Sequence, residues 1–175
     1  MNEQYRKSPR ANWINYEGGD FFITICTKDK EHFFGHIADG IMNLSSIGEI
    51  VDFELRHPHI HHQRIEIPLY VIMPNHIHAI IVCRDIACDV CPNEQRNPNP
   101  ALRSNPNVAR HVPTLSRYIG SFKAAVSREA RKINPNFAWQ SRYHDHLIRS
   151  TRDGNKIAEY IENNVARWNS DCFNL

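Results

Sequence analysis

Two histidines separated by one apolar residue, His76-Ile77-His78, are the first candidates for chemistry in this sequence. The apolar stretch around them predicts a strand, on which residues i and i+2 point to one side and residue i+1 points to the other. Ile77 can then enter a core while both imidazoles converge on one point. Two neutral imidazoles placed in this way form a bidentate platform for a divalent metal ion. The alternative is that both histidines cap the strand for structural reasons.

Three other groups of possible metal ligands compete with this pair, and each has a weakness. The segment His57–His62 has more histidines, but its proline and its position after a predicted helix indicate a solvated surface loop. The segment His144–His146 places an aspartate between two histidines where a core would require an apolar group, although either histidine can still line a site. Cys88 and Cys91 have no second cysteine pair, so a zinc site there would need an outside ligand.

A tyrosine and an amide share one face of the last predicted helix. Tyr160 and Asn164 are four residues apart, which places them one turn from each other. They flank an apolar stripe formed by Ile157, Ile161, Val165 and Trp168. This position predicts that both side chains lie at the edge of the contact between the helix and the sheet, where a cleft would open. The alternative is an amphipathic tyrosine at the margin of a core, with its hydroxyl in water.

These candidates depend for their positions on alternating strands and helices. Runs of β-branched and aromatic residues predict strands over residues 20–27, 65–72, 76–83 and 139–148. Apolar residues at helical spacing predict helices from Ser45 to just before Pro58, from Thr114 to Ile133, and from about Ser150 to Trp168. The segment Met73-Pro74-Asn75 predicts a bend or a bulge between two strands. This order favours an α+β fold with an antiparallel sheet and helices on one side.

The size and composition of the chain are those of one globular domain. It has 175 residues, of which 41% are hydrophobic and 23% are charged. We predict a single domain over residues 1–175, with its core at about residues 20–168. Residues 84–113 hold five of the ten prolines, which predicts a long flexible loop rather than a linker between domains.

The sequence gives no indication of membrane insertion or export. No apolar stretch approaches the roughly 20 residues that span a bilayer. The first residues lack the apolar segment of a secretory signal. We therefore expect no membrane partner and a cytoplasmic location, in which the five cysteines stay reduced.

Positive charge is concentrated in one third of the chain. Residues 101–155 contain ten Lys or Arg against three Asp or Glu, whereas the net charge of the whole chain is only +2. This segregation is typical of a surface that binds a polyanion, and a solvated basic surface without a partner is the alternative. The candidate residues for binding such a polyanion are Arg117, Lys123, Arg128, Arg131, Lys132, Arg142, Arg149 and Arg152.

Three motifs, in one order along the chain, resemble those of the REP-associated tyrosine transposases, a single-tyrosine branch of the HUH nickases. They are Met73-Pro74-Asn75-His76-Ile77-His78-Ala79-Ile80, then Trp139-Gln140-x-Arg142-Tyr143-x-Asp145-His146-x-Ile148-Arg149, then Glu159-Tyr160-Ile161-x-Asn163-Asn164. The resemblance covers about residues 20–168. It implies a ferredoxin-like domain with helices packed on a central antiparallel sheet that carries the two histidines. One position departs, because the family usually has proline after the Asn pair and this chain has Val165.

The resemblance also implies an enzyme that recognises hairpin-containing single-stranded DNA, cuts it and holds the 5′ end on a tyrosine. In this chain His76 and His78 match the metal-binding histidines, Tyr160 matches the nucleophile, and Asn164 matches the amide that completes the metal site. Mixed nitrogen and oxygen ligation accommodates Mg²⁺ or Mn²⁺. The expected partner is single-stranded or hairpin DNA, bound by a monomer or a homodimer.

Two other functions stay open on the sequence alone. The first is a DNA-binding protein that keeps the fold and the basic helix but does not cut, for which the metal site would be empty. The second is a two-histidine metal hydrolase, which would turn over without a covalent intermediate and would survive the loss of Tyr160.

Overall fold

The strands and helices are taken from a computed structural model, which describes residues 19–84 and 114–174. Its strands are β1 (Gly19–Cys26), β2 (Gly35–Ala38), β3 (Ile41–Leu44), β4 (Ile65–Ile72), β5 (His76–Cys83) and β6 (His144–Leu147). Its helices are α1 (Ser46–Arg56), α2 (Thr114–Ile133) and α3 (Thr151–Glu162), and short 3₁₀ turns connect several of these elements.

Four of the strands form one antiparallel sheet in the order β4-β5-β1-β6. Together with α1 and α2, these strands follow one another along the chain as strand, helix, strand, strand, helix, strand. This order and this sheet arrangement are those of the ferredoxin-like fold. The predicted α+β class with a central antiparallel sheet is therefore confirmed.

The two central strands have one apolar face and, opposite it, the face that carries the two candidate histidines, which we call the functional face. In the register of β1 with β5, Ile23 pairs with Ala79 and Ile25 pairs with Ile77, and all four side chains are buried in the hydrophobic core. Apolar residues of α1 and α2 cover this face, and they include Ile47, Val51, Leu55, Leu115, Ile119, Phe122 and Val126. The alternation of a strand then turns every second residue, including both histidines, to the opposite face.

Helix α3 lies over that opposite face. The hydroxyl of Tyr160 reaches His78, and the Tyr160 ring meets the edge of Phe22 at 6.0 Å between centroids. The expectation that all helices lie on one side of the sheet is therefore wrong for α3. The physical reason is that β5 is apolar on both sides of its backbone except at the histidines, so each face of the sheet requires cover.

The hairpin of β2 and β3 was not predicted from the sequence, although its turn contains a sequence that is typical of hairpins. Asp39 and Gly40 connect the two strands and both have positive φ, 53° and 72°. An Asp-Gly pair of this conformation is a preferred two-residue hairpin turn. Each of the two strands has only four residues, so the alternation of side chains along them gives little indication.

Several element boundaries differ from the predictions. Strand β6 covers four residues, and the start of the predicted strand contributes only an isolated bridge between Thr27 and Trp139. Met73 donates its N–H to the carbonyl of His76 at 2.8 Å, so the segment after β4 is a tight turn. The register shift of the β4–β5 pair lies instead between Glu66 and Leu69. Helix α3 ends at Glu162, and a 3₁₀ turn over Val165–Ser170 replaces its predicted last turn.

Some predictions concern residues outside the described ranges. The long loop after Arg84 and the Cys88–Cys91 pair lie there, and the single-domain prediction for the whole chain stays a prediction. None of the helices within the described ranges combines the length and the apolar character that crossing a bilayer requires.

Candidate active site

Strand β5 holds the two histidines side by side on the face opposite the core. Their ring centroids lie 4.6 Å apart, and the residues are 0% and 2% exposed. On the neighbouring strand, Cys26 lies opposite His76 and Thr24 lies opposite His78. The pair is thus enclosed by the sheet on one side, which confirms the predicted orientation of Ile77 into the core.

The amide of Asn75 fixes the ring of His76. Asn75 Nδ2 donates to the carbonyls of Lys30 at 3.1 Å and Phe173 at 2.8 Å, which orients the amide oxygen toward the histidine. His76 Nδ1 therefore donates to Asn75 Oδ1, at 2.8 Å. The lone pair of the ring is then on Nε2, and this buried atom has no hydrogen-bond partner among the described residues.

Two hydroxyls define the ring of His78 in the same way. Nδ1 lies 2.9 Å from Thr24 Oγ1, and Nε2 lies 3.1 Å from the hydroxyl of Tyr160. When the Tyr160 hydroxyl donates to Nε2, Nδ1–H donates to Thr24. Phe22 stacks on the His78 ring at 5.3 Å between centroids and holds its plane.

Both histidines are neutral at physiological pH. Burial, together with smaller effects of the nearby His78 and Lys30, lowers the pKa of His76 to about 2. Burial also lowers the pKa of His78 to about 4, with a smaller effect of His144. Neutral rings with both Nδ1 atoms engaged present their Nε2 lone pairs, which is the state that a metal ligand requires.

Helix α3 brings Tyr160 to this pair, and the side chain of Asn164 lies beside Tyr160. The prediction that both residues lie on one helix is wrong for Asn164, because α3 ends two residues before it, at Glu162. Tyr160 is 38% exposed and Asn164 is 2% exposed. Burial raises the pKa of Tyr160 above its ordinary value of 10.0, while the Asn164 side chain opposes the rise. The tyrosine is thus open to a substrate on one side, and its protein surroundings alone do not favour the phenolate.

The donor atoms fit a divalent cation. Asn164 Oδ1, like His76 Nε2, is buried and has no hydrogen-bond partner in the part of the chain that the structure describes. Nitrogen and amide oxygen together suit Mg²⁺ or Mn²⁺. Within the same residues there is no group of three or more His, Cys, Asp or Glu side chains arranged to hold a metal ion. A site here therefore requires the Asn164 amide in addition to the two imidazoles.

The C-terminal segment is a part of the site that the sequence did not predict. The ring of Phe173 lies 4.4 Å from that of His76 between centroids, and Lys30 Nζ donates to the carbonyl of Cys172 at 3.0 Å. Trp168 approaches the other side, at 6.2 Å from the His76 ring. No regular spacing connects these residues with β5, so only their aromatic character gives a signal.

The competing histidine groups lie in different places. His61 Nε2 contacts Glu54 on α1 at 2.5 Å, away from the functional face of the sheet. His144 pairs with Thr24 across β1 and β6, so it belongs to the same row as His78. His146 Nε2 lies 2.9 Å from Asp153 Oδ2, a contact that joins β6 to the first turn of α3.

The basic candidates separate into two groups. On α2, Arg117, Arg128, Arg131 and Lys132 share one outer face by helical geometry, and all four are exposed. Glu129 pairs with two of them, at 3.1 Å from Arg128 Nε and 2.6 Å from Lys132 Nζ. Lys123 points elsewhere: its Nζ donates to the carbonyl of Gln140 at 2.6 Å, and burial lowers its pKa.

The second group lies beside α3. Arg149 and Arg152 are exposed on either side of the helix start at Ser150. Arg142 is exposed and lies two residues before the start of β6. Arg149 and Arg152 are thus in the same layer of the molecule as Tyr160, whereas α2 lies across the sheet. Arg142 does not belong to this layer by its neighbours, because Gln140 and Tyr143 on either side of it both contact α2. The roles of both groups in DNA binding stay predictions.

Comparisons with known proteins agree with this fold. No protein-family model matches the sequence. An uncharacterized protein of Haemophilus influenzae is 35% identical over 170 residues, which cover 95% of this chain and 92% of that protein. The structure of a REP-associated tyrosine transposase bound to a REP hairpin has a TM-score of 0.57 and 18% sequence identity, over 93% of this chain and 74% of that chain. The resemblance predicted from the three motifs is thus confirmed at the level of the fold. This chain belongs to the family of the Haemophilus influenzae protein and has the fold of the REP-associated tyrosine transposase.

Proposed function

We propose that this protein is a transposase-like enzyme that nicks and rejoins single-stranded DNA through a phosphotyrosine intermediate on Tyr160. The observation that carries the proposal is the approach of the Tyr160 hydroxyl to His78 Nε2, at 3.1 Å, although 82 residues separate the two in sequence. A nucleophile, two neutral imidazoles and an amide thus meet at one partly open position. This constellation is typical of a nucleophilic enzyme site rather than of a packed core.

The reaction exchanges one phosphate ester for another. The phenolic oxygen of Tyr160 bonds to the phosphorus, and the bond between phosphorus and the 3′ oxygen breaks. The 3′ oxygen leaves with the proton as a hydroxyl, and the 5′ phosphate stays on the tyrosine. Because the ester is retained, a 3′-hydroxyl can attack the phosphotyrosine and rejoin a strand without an energy cofactor.

The proposed cofactor is Mg²⁺ or Mn²⁺, held by His76, His78 and Asn164. When bound, a divalent cation would polarise the scissile phosphate and neutralise the charge that develops on it. Such help is required because burial raises the pKa of Tyr160, which makes the free phenol a poor nucleophile at neutral pH. The buried, unpartnered Nε2 of His76 and Oδ1 of Asn164 support this ligand set.

The proposed substrate is single-stranded DNA that contains a hairpin. The solved transposase of the same fold is bound to a REP hairpin. In this chain, the exposed arginines beside α3 and on the outer face of α2 would contact phosphates. We expect the protein to act in the cytoplasm, as a monomer or a homodimer.

A covalent adduct tests the proposal directly. The full chain is incubated with Mn²⁺ and labelled hairpin-bearing single strands from its own genomic flanks, and the products are separated under denaturing conditions. The parent protein should form a denaturation-resistant adduct, and Tyr160→Phe should form none while it binds the same DNA. Tyr143→Phe is the matched control, because Tyr143 lies in a neighbouring motif and its hydroxyl contacts Ser116 at 3.2 Å.

The other outcomes identify the alternatives. An adduct that persists in Tyr160→Phe would move the nucleophile to another residue. DNA binding without adduct or cleavage in the parent would indicate a non-cutting DNA-binding protein. Cleavage that survives Tyr160→Phe without an adduct would indicate a metal-dependent hydrolase. EDTA or His76→Ala should stop cutting if the metal site is as proposed.

A further inference from the structure

The C-terminal segment brings a carboxylate to the histidine pair. Asp171 Oδ2 lies 3.9 Å from His76 Nε2, and the Asp171 side chain is only 8% exposed. This separation is too long for a hydrogen bond. It does suit two ligands of one ion, because two atoms that are each about 2.1 Å from a cation lie at most about 4.2 Å apart.

The segment itself holds the carboxylate in this position. Asp171 Oδ1 accepts a hydrogen bond from the N–H of Phe173 at 2.8 Å, and the Asp171 carbonyl accepts one from the N–H of Asn174 at 3.0 Å. The carbonyl of Phe173 accepts in turn from Asn75, the residue that orients His76. One carboxylate oxygen therefore organises the turn, and the other one faces the histidine.

Two buried polar atoms of the candidate site lack a partner. His76 Nε2 and Asn164 Oδ1 are both buried, and neither has a hydrogen-bond partner among the residues described. Buried polar atoms of this kind lose the hydration that they have in water, so a bound ion or other partner is expected. A cation between these atoms would satisfy the imidazole, the amide and the carboxylate together.

We propose that Asp171 is an additional ligand of the divalent cation, beside His76, His78 and Asn164. This inference rests on the proposed metal site and deepens it. A carboxylate compensates one of the two charges of the ion, and anionic oxygen is a ligand that Mg²⁺ and Mn²⁺ prefer. The described residues hold no preassembled group of three His, Cys, Asp or Glu ligands. A site that includes Asp171 therefore also depends on the Asn164 amide.

A calorimetric titration of Mn²⁺ into the full chain tests whether Asp171 is a ligand. Asp171→Asn keeps an oxygen that can accept from the Phe173 N–H but removes the charge. It should weaken Mn²⁺ binding by at least about tenfold. Asp171→Ala should weaken it at least as much, and His76→Ala should abolish it. Glu162→Ala is the matched control, because Glu162 is an exposed carboxylate at the end of α3. This variant should bind Mn²⁺ as tightly as the parent does.

The pattern across the variants separates this inference from the proposed function. If Asp171→Asn and a folded Asp171→Ala bind Mn²⁺ as tightly as the parent while His76→Ala does not, Asp171 is not a ligand and the inference is overturned. If His76→Ala also binds Mn²⁺ as tightly as the parent does, both the proposed metal site and the inference are wrong. If Mn²⁺ binding depends on Asp171 but the parent forms no DNA adduct, the inference is supported and the proposed function is wrong.

Discussion

At the scale of single residues, the second hydrogen bond of each histidine decides what its ring can bind. Asn75 and Thr24 both take the Nδ1 side, at 2.8 Å and 2.9 Å, and leave the Nε2 atoms of His76 and His78 directed into the site. Neither residue would touch a substrate. In the proposed metal site each is a positioning residue, because it holds the tautomer and the plane of a ring that would bind the ion.

Thr24→Val tests this positioning with a side chain of nearly the same shape. The variant removes the hydroxyl that faces His78 Nδ1, so the ring loses its fixed tautomer. We expect Mn²⁺ affinity and adduct formation to fall by about tenfold or more. The buried Nδ1–H would lack a partner, so urea unfolding should show a loss of about 1–3 kcal/mol.

Thr24→Ser is the matched control for this change. It retains the hydroxyl and should bind Mn²⁺ nearly as the parent does. Equal Mn²⁺ affinity in Thr24→Val and the parent would show that Thr24 contributes only packing.

At the scale of elements, the site depends on how the helices are fixed to the sheet. On the core side, the hydroxyl of Tyr70 in β4 donates to Asp52 Oδ1 in α1 at 2.8 Å, and Asp52 Oδ2 accepts from Arg56 at 2.8 Å. This contact joins α1 to the edge strand next to β5. It stabilises the layer that supports the histidine strand from behind.

The Tyr70 contact predicts a loss of stability at alkaline pH. Burial, and then the hydrogen bond to Asp52, raise the pKa of Tyr70 from 10.0 to about 12. The folded state therefore keeps the phenol proton at a pH where the unfolded state has lost it. The stabilisation is fully present below pH 10 and disappears as the pH rises through 12.

Tyr70→Phe measures this contribution. The variant should be less stable than the parent by about 1 kcal/mol at pH 8, since it lacks one partly exposed hydrogen bond. The difference should shrink when urea unfolding is repeated near pH 11. A difference that stays constant or grows with pH would contradict the assignment of the raised pKa to this contact.

At the scale of the whole molecule, the sheet separates two possible DNA-binding surfaces. Tyr160 and the arginines beside α3 are on one side, and the basic face of α2 is on the other. A hairpin that contacts both surfaces must pass around an edge of the sheet. The two surfaces can therefore be tested one at a time.

The basic face of α2 predicts binding that depends strongly on salt. Arg117 and Arg128 are exposed, and their eleven-residue spacing places them about 20° apart around the helix. Neutralising both as Arg117→Gln and Arg128→Gln should lower affinity for many DNA sequences alike. It should also flatten the slope of log affinity against log salt by about one to two units.

The matched comparison is the pair Arg149→Gln and Arg152→Gln on the other side of the sheet. If titrations of the α2 variant and the parent superimpose at several salt concentrations while the second pair changes the slope, DNA is held beside α3. If both pairs change the slope, the DNA reaches both surfaces.

The sequence by itself determined the central strands, the helix starts and the placement of the histidines. The strands predicted over residues 65–72 and 76–83 have the observed bounds, and Ser45 and Ser150 cap α1 and α3 as their positions indicate. Local rules suffice here, because alternation and capping depend on neighbours in the chain. The orientation of His76 and His78 away from Ile77 follows from the same rule.

Only the tertiary structure decided which groups meet at the histidines. Tyr160 reaches His78 because α3 covers the face of the sheet opposite α1 and α2, and helical spacing alone does not select a face. Asp171 and Phe173 reach His76 because the chain turns back after α3, over residues that have no periodic pattern. Such contacts join distant positions, so they depend on the packing of the whole core rather than on any local preference.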